Sequence, residues 1–221
     1  PYPFKSLLPL SSEIAGLTLA AIDQDEALTF FRSHPSIFLQ DIQAHFALTS
    51  EQIDIYANQL NWDRVSVNRT IVWNEELISR HSNRFNWNLL STMAMLPWSP
   101  EFIYRYESRW NWSLLSRNLD LPWSIALIDR FRSSWNWGSL CHNRVLPWSP
   151  DMVGHYVNHW KWPSLSRSHC VPWNIDLVNQ FIDYWSWDEL STNTSLLCST
   201  EVIEEFLDRW NWSRMRVGLS K

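Results

Sequence analysis

The chain has 221 residues, 45% of them hydrophobic, and a net charge of −5. That is enough apolar content to bury a large core, and it sets the chain apart from disordered polymers. Four glycines argue against phosphate loops, dinucleotide-binding turns and β-architectures that need many tight turns.

Three cysteines, Cys141, Cys170 and Cys198, show no Cys-x-x-Cys spacing, so neither a disulfide framework nor a zinc site is supported. A reducing, cytoplasmic setting is expected. The N-terminus lacks the features of a signal peptide, and no apolar run is long enough to span a bilayer. A chain that begins at Pro1 is read as a trimmed product or as part of something longer.

Residues 1–48 contain no tryptophan. Segments at 12–22, 25–33 and 36–46 read as helical, and we expect 1–48 to be an N-terminal helical cap covering the first face of a repeat stack. Leu48, Ile53, Tyr56 and Leu60 already follow the pattern of the repeats that come next.

From 49 to 215 the chain is a tandem array. One tryptophan column runs Trp62, Trp87, Trp112, Trp137, Trp162, Trp187 and Trp212, every step being 25 residues. Leu60, Phe85, Trp110, Trp135, Trp160, Trp185 and Trp210 keep the same register, as do Trp73, Trp98, Trp123, Trp148, Trp173 and then Cys198. These columns hold all 17 tryptophans, and the invariant length points to units stacked by geometry.

Within a unit, Trp112 and Leu115 are three apart, as are Trp87 and Leu90, Trp137 and Leu140, Trp162 and Leu165, Trp187 and Leu190. That spacing predicts a first helix of about two turns. Asn61, Asn86, Asn111, Asn136, Ser186 and Asn211 precede it as N-caps, with Lys161 as the exception. Asn68, Asn118, Asn143 and Asn193 follow it, where a left-handed residue is expected to end the helix.

The second half opens on strings such as Leu96-Pro97-Trp98-Ser99-Pro100-Glu101, with Asn74, Ser99, Ser124, Ser149 and Asn174 as caps. Phe102, Ile103, Tyr106 and Trp110 then form one apolar stripe, repeated by Leu127, Ile128, Phe131 and Trp135. This predicts an amphipathic helix of about three turns. A leucine-rich horseshoe is the rival, but the alternation that a strand requires fails, because Arg64, Ser139, Ser164 and Glu189 fall where apolar residues should be. The expected fold is all-α: an α-solenoid of two-helix repeats. Residues 216–221 form a basic tail.

The string Trp-Asn-Trp-x-x-Leu-Ser-x-Asn followed by Leu-Pro-Trp-Ser resembles tryptophan-rich tandem repeats of bacterial and giant-virus proteins whose role is uncharacterised, and it covers residues 60 to about 215. Many such repeats place Pro after that Asn, whereas this chain has Arg69, Leu119, Arg144 and Thr194. The resemblance implies no activity and no functional residues.

Invariance across units suits packing. Trp87, Trp98, Trp112, Trp123, Trp137, Trp148, Trp162, Trp173 and Trp187 are therefore read as structural rather than as a ladder for stacking bases or sugars. Function is sought in columns that vary. One reads Arg80, Arg105, Arg130, His155, Gln180, Glu205; another reads Val67, Thr92, Arg117, His142, Arg167, Thr192; the following loop adds Arg144 and His169.

Residues 80–170 hold ten Lys or Arg against five Asp or Glu, and the rest of the chain holds eight against eighteen. A basic middle suits a protein partner or acidic segment, or alternatively a nucleic-acid backbone; solvated helix faces are the plain reading of the same charges. Catalysis is not expected, since no nucleophile motif or ligand-spaced cluster occurs, and no cofactor or metal is implied. His155 and His159, four apart, are at most an adventitious metal pair.

Overall fold

Short polar side chains dictate where the helices begin. In the computed structural model, which describes residues 48–197 and 199–215, Asn74, Ser99, Ser124, Ser149, Asn174 and Ser199 each accept a hydrogen bond from the backbone N–H three residues on. The same chemistry opens the first helices at Asn61, Asn86, Asn111 and Asn136. Lys161 and Ser186 supply no such bond. Each side-chain oxygen satisfies one of the donors a helix start leaves unpaired.

Every regular element among the described residues is a helix, and no strand occurs there. The leucine-rich horseshoe is thereby set aside and the helical repeat architecture stands. The chain divides into two compact units, through Pro97 and from Trp98. The first contains Ser50–Tyr56, Trp62–Ser66, Glu75–Arg80 and Trp87–Leu90. The second contains Pro100–Arg105, Trp112–Leu115, Ile125–Arg130, Trp137–Leu140, Pro150–His155, Trp162–Ser166, Ile175–Gln180, Trp187–Leu190 and Thr200–Glu205. The expected cap at 1–48, apart from its last residue, and the tail at 216–221 lie outside the described residues.

Both helix types are shorter than their periodicity predicts. The first is a single turn of four or five residues, and the second stops after six. The apolar stripe continues past the helix end, because Phe131 and Trp135 are buried although the backbone leaves helical geometry at Phe131 (φ −117°, ψ 28°). A turn and a helix bury the same spacing here, so periodicity alone overstates the length.

Tryptophan side chains do what a terminal glycine usually does. Sixteen indole N–H groups donate to backbone carbonyls near helix ends. Trp110, Trp135, Trp160, Trp185 and Trp210 reach seven residues back, for example Trp135 Nε1 to the Ile128 carbonyl at 3.2 Å. Trp62, Trp87, Trp112, Trp137, Trp162, Trp187 and Trp212 reach five back, as do Trp73, Trp123, Trp148 and Trp173.

The asparagines at the end of the first helix are not left-handed. No described residue has a positive φ, which corrects that expectation. Asn143 is instead 1% exposed and ties repeats together. Its Nδ2 donates to the carbonyls of Ser116 (3.1 Å) and Asn118 (3.3 Å) in the preceding repeat, while its Oδ1 accepts from Val145 N–H. Asn193 does the same to Ser166 and Ser168.

A second ladder runs through serines. Ser116 Oγ donates to the Trp112 carbonyl and accepts from the N–H of Asn136, the first-helix cap of the next repeat. Ser66 with Asn86, Ser166 with Ser186, and Ser191 with Asn211 repeat that inter-repeat step.

The core between repeats is aromatic. Trp135 lies 4.8 Å, centroid to centroid, from Trp112 of the preceding repeat in an edge-on arrangement and 4.8 Å from Trp123 of its own. Trp160 sits likewise between Trp137 and Trp148, and Trp185 between Trp162 and Trp173. In the first unit Phe85 takes that place between Trp62 and Trp73. Edge-to-face pairs at this separation are favoured by the ring quadrupole. The Trp135 column is the hub of these ring contacts.

Candidate functional site

The variable columns separate into two groups with different chemistry. The first group closes the second helix. There Arg80 pairs with Asp54 at 3.2 Å and with Glu76 at 3.1 Å, and His81 reaches Asp54 at 2.6 Å. Arg130 lies 3.9 Å from Glu101 and 4.5 Å above the Tyr104 ring. His155 lies 3.2 Å from Asp129, and Arg105 is exposed in the same column.

Apart from Arg80–Glu76, which lies within one helix, these contacts join one repeat to the one before it. Asp129 collects three donors, from Arg132, His155 and Tyr156. The Arg132 hydrogen bond, chiefly, holds its carboxyl below the ordinary range. Exposed pairs of this kind are worth about 0–1 kcal/mol each, so they set register more than stability. Arg80, Arg130 and His155 are thus occupied within the stack.

The second group follows the first helix. Arg117, His142 and Arg167 lie in its closing turn, just beyond the short helix, in three successive repeats of the second unit. All three are exposed, as are Arg144 and His169 in the loop that follows. Arg117 Nε donates to Ser139 Oγ at 3.2 Å. Arg167 Nε lies 3.3 Å from Glu189, which Arg214 also approaches at 3.8 Å. His169 Nδ1 is 2.8 Å from Ser195 Oγ.

His142 feels the charge of its neighbours in this group. Partial desolvation lowers its pKa below the ordinary histidine value, and the positive charges of Arg167, His169 and Arg117 push it the same way. Like charges oppose protonation only when they are close and poorly screened. The structure therefore places Arg117, His142, Arg167 and His169 along one exposed strip of basic side chains, with Glu189 beside Arg167.

Among the described residues no group of three His, Cys, Asp or Glu is placed to hold a metal. The His155 and His159 pair is divided between tasks, His155 on Asp129 and His159 stacked 4.9 Å from Trp137. Cys141 is fully buried, and burial pushes its thiol up to about 12, so it is inert as a nucleophile at neutral pH. No described helix is long and apolar enough to cross a membrane.

The sequence columns contain every member of the strip, but column membership alone does not distinguish it from the occupied second-helix group. A usable signal is the position of the acids. Asp54 and Asp129 lie 26 residues before Arg80 and His155, whereas the acids near the strip are Glu189, beside Arg167, and Asp120, in the loop after Arg117. Compared with known protein families, curated proteins and solved structures, the chain matches none.

Proposed function

We propose that the chain is a non-catalytic repeat scaffold that binds an acidic segment of a protein partner along the strip of Arg117, His142, Arg167 and His169. One observation carries the reading: Arg117, His142 and Arg167 stand exposed at the same position of three successive repeats, with Arg144 and His169 exposed in the loops that follow. An extended acidic segment running across the repeats would meet a basic side chain at each step. Arg80 and His155 are less suited, because an aspartate of the preceding repeat already engages each; in the strip Arg167 is the member engaged in that way, by Glu189.

A nucleic-acid backbone would use the same charges, but the net charge of −5 and pI of 5.8 oppose it, since such binders are commonly basic overall. The unpaired thiols of Cys141 and Cys170 favour a reducing, cytoplasmic setting. The tryptophan register supports kinship with the tryptophan-rich tandem repeats that the sequence resembles.

Binding of a fluorescein-labelled ten-residue polyglutamate peptide, followed by anisotropy, tests the reading. Replacing Arg117 and Arg167 together by Gln should weaken binding about tenfold at low salt, the size expected of two lost rim charges. Replacing Arg130 by Gln should change it little. Equal affinity in the double variant removes the strip as the site. Retention of a duplex oligonucleotide without peptide binding transfers the site to nucleic acid.

A further inference from the structure

We propose that the residue 22 positions beyond each arginine of the strip decides whether that arginine is free to take an acid of the segment, and that Glu189 is a built-in competitor for Arg167. The inference rests on the strip being the binding face. Arg117 and Arg167 hold the same place two repeats apart, and each is met at its Nε by the following repeat. Arg117 Nε donates to the Ser139 hydroxyl at 3.2 Å, and Arg167 Nε faces the Glu189 carboxylate at 3.3 Å. Ser139 and Glu189 belong to one column of the first helix, with Ser164 between them.

The two partners differ in what they leave over. A hydroxyl is a neutral acceptor, so Arg117 keeps its full charge for a ligand. Glu189 cancels much of the charge of Arg167, and its other oxygen lies 3.8 Å from Arg214. The Arg167 pair is a charge contact rather than a hydrogen bond, because Glu189 Oε2 is enclosed and accepts none. With 54% of the Arg167 side chain exposed against 19% for Glu189, the guanidinium remains reachable while the acid beside it is largely covered. An incoming carboxylate must displace Glu189 or accept its repulsion, and either outcome lowers affinity at this end. The strip is thus graded, open at Arg117 and closed at Arg167.

The repeats supply matched substitutions. E189S installs the residue that Arg117 already meets, and S139E installs the one that Arg167 meets. Both leave the local backbone bonds in place, since these run from Ser139 N–H to Asn136 Oδ1 and from Glu189 N–H to the Ser186 carbonyl. D188S removes an equal charge one residue away. There the acid accepts from Asn211 Nδ2, and Ser113 makes the equivalent link to Asn136.

Anisotropy of the same labelled polyglutamate peptide on the full chain at low salt reads the result. E189S should bind about threefold more tightly than wild type, the effect of one rim charge released, and S139E about threefold more weakly. D188S should bind as wild type does. No gain in E189S, a matched gain in D188S, or a folded S139E of unchanged affinity overturns the competitor; if R117Q/R167Q still weakens binding, the strip survives as the site. Because Ser139 is buried, thermal melting establishes whether S139E folds, and where it does not, E189S against D188S decides. Affinity unchanged in R117Q/R167Q, or absent from both wild type and E189S, overturns the strip and the competitor together.

Discussion

Cys141 occupies a position that is serine in every other described repeat: Ser66, Ser91, Ser116, Ser166 and Ser191. In those repeats the hydroxyl donates to the carbonyl of its own tryptophan or accepts the N–H of the next cap. Cys141 keeps the first link, Sγ to the Trp137 carbonyl at 3.1 Å, but its contact with Lys161 is a 3.9 Å approach to the carbonyl. Sulfur is a weak acceptor. Cys141→Ser should therefore stabilise the fold by about 1 kcal/mol, the worth of one neutral hydrogen bond, read as a higher midpoint in urea. The gap should widen above pH 9. There the unfolded thiol ionises at its ordinary value while the buried one, raised to about 12, keeps its proton, so the wild-type fold loses stability as pH rises. A constant difference across that range, or a destabilised variant, counts against this account.

Asn143 and its column show how far such residue-level roles could be read. The recurrence of Asn at the end of the first helix marks it as special, and local propensity assigns it a left-handed cap. Its actual partners, the carbonyls of Ser116 and Asn118, lie 27 and 25 residues away, beyond the reach of a rule about neighbours in sequence. The cap serines and asparagines were legible because their bonds close within three residues.

At the scale of elements, helices of four to seven residues are too short to persist on their own, since nucleation costs more than so few bonds return. Their carbonyl ends must be satisfied without glycine, and the indoles do this while filling the core. The two contributions of one tryptophan can be separated. Trp135→Phe keeps a ring between Trp112 and Trp123, as Phe85 does in its own repeat, but leaves the Ile128 carbonyl without its donor. It should cost about 1–3 kcal/mol. Trp135→Ala also opens a cavity at a position 4% exposed and should cost about 3–5 kcal/mol. Trp123→Ala, at a half-buried ring, should fall between the two, with denaturant midpoints as the measure. Equal costs for Phe and Ala at 135 would mean that the ring contributes nothing there. The strip was only half legible for a related reason: its cations are visible as a column, but which columns are already paired depends on how consecutive repeats face each other.

Across the whole molecule the same steps recur, so within the second unit each repeat is held chiefly by its immediate neighbours. Trp112 meets Trp135, Ser116 meets Asn136, and both partners belong to the next repeat. Stability in such an array is a sum of unit terms and nearest-neighbour terms, and it follows that one whole unit can be removed. Deleting 123–147 joins Pro122 to Trp148, a junction of the kind found at Pro147–Trp148 itself. Trp112 would then meet Trp160, and the Ser116 hydroxyl would meet the N–H of Lys161. The shortened chain should keep its helical circular dichroism per residue and unfold cooperatively at a lower temperature, having lost one interface. Deleting 123–134 instead removes half a period, sets second-helix residues where first-helix residues belong, and should abolish cooperative unfolding. If both deletions melt alike, the repeats are not interchangeable, and the fixed period does not arise from neighbour-to-neighbour stacking.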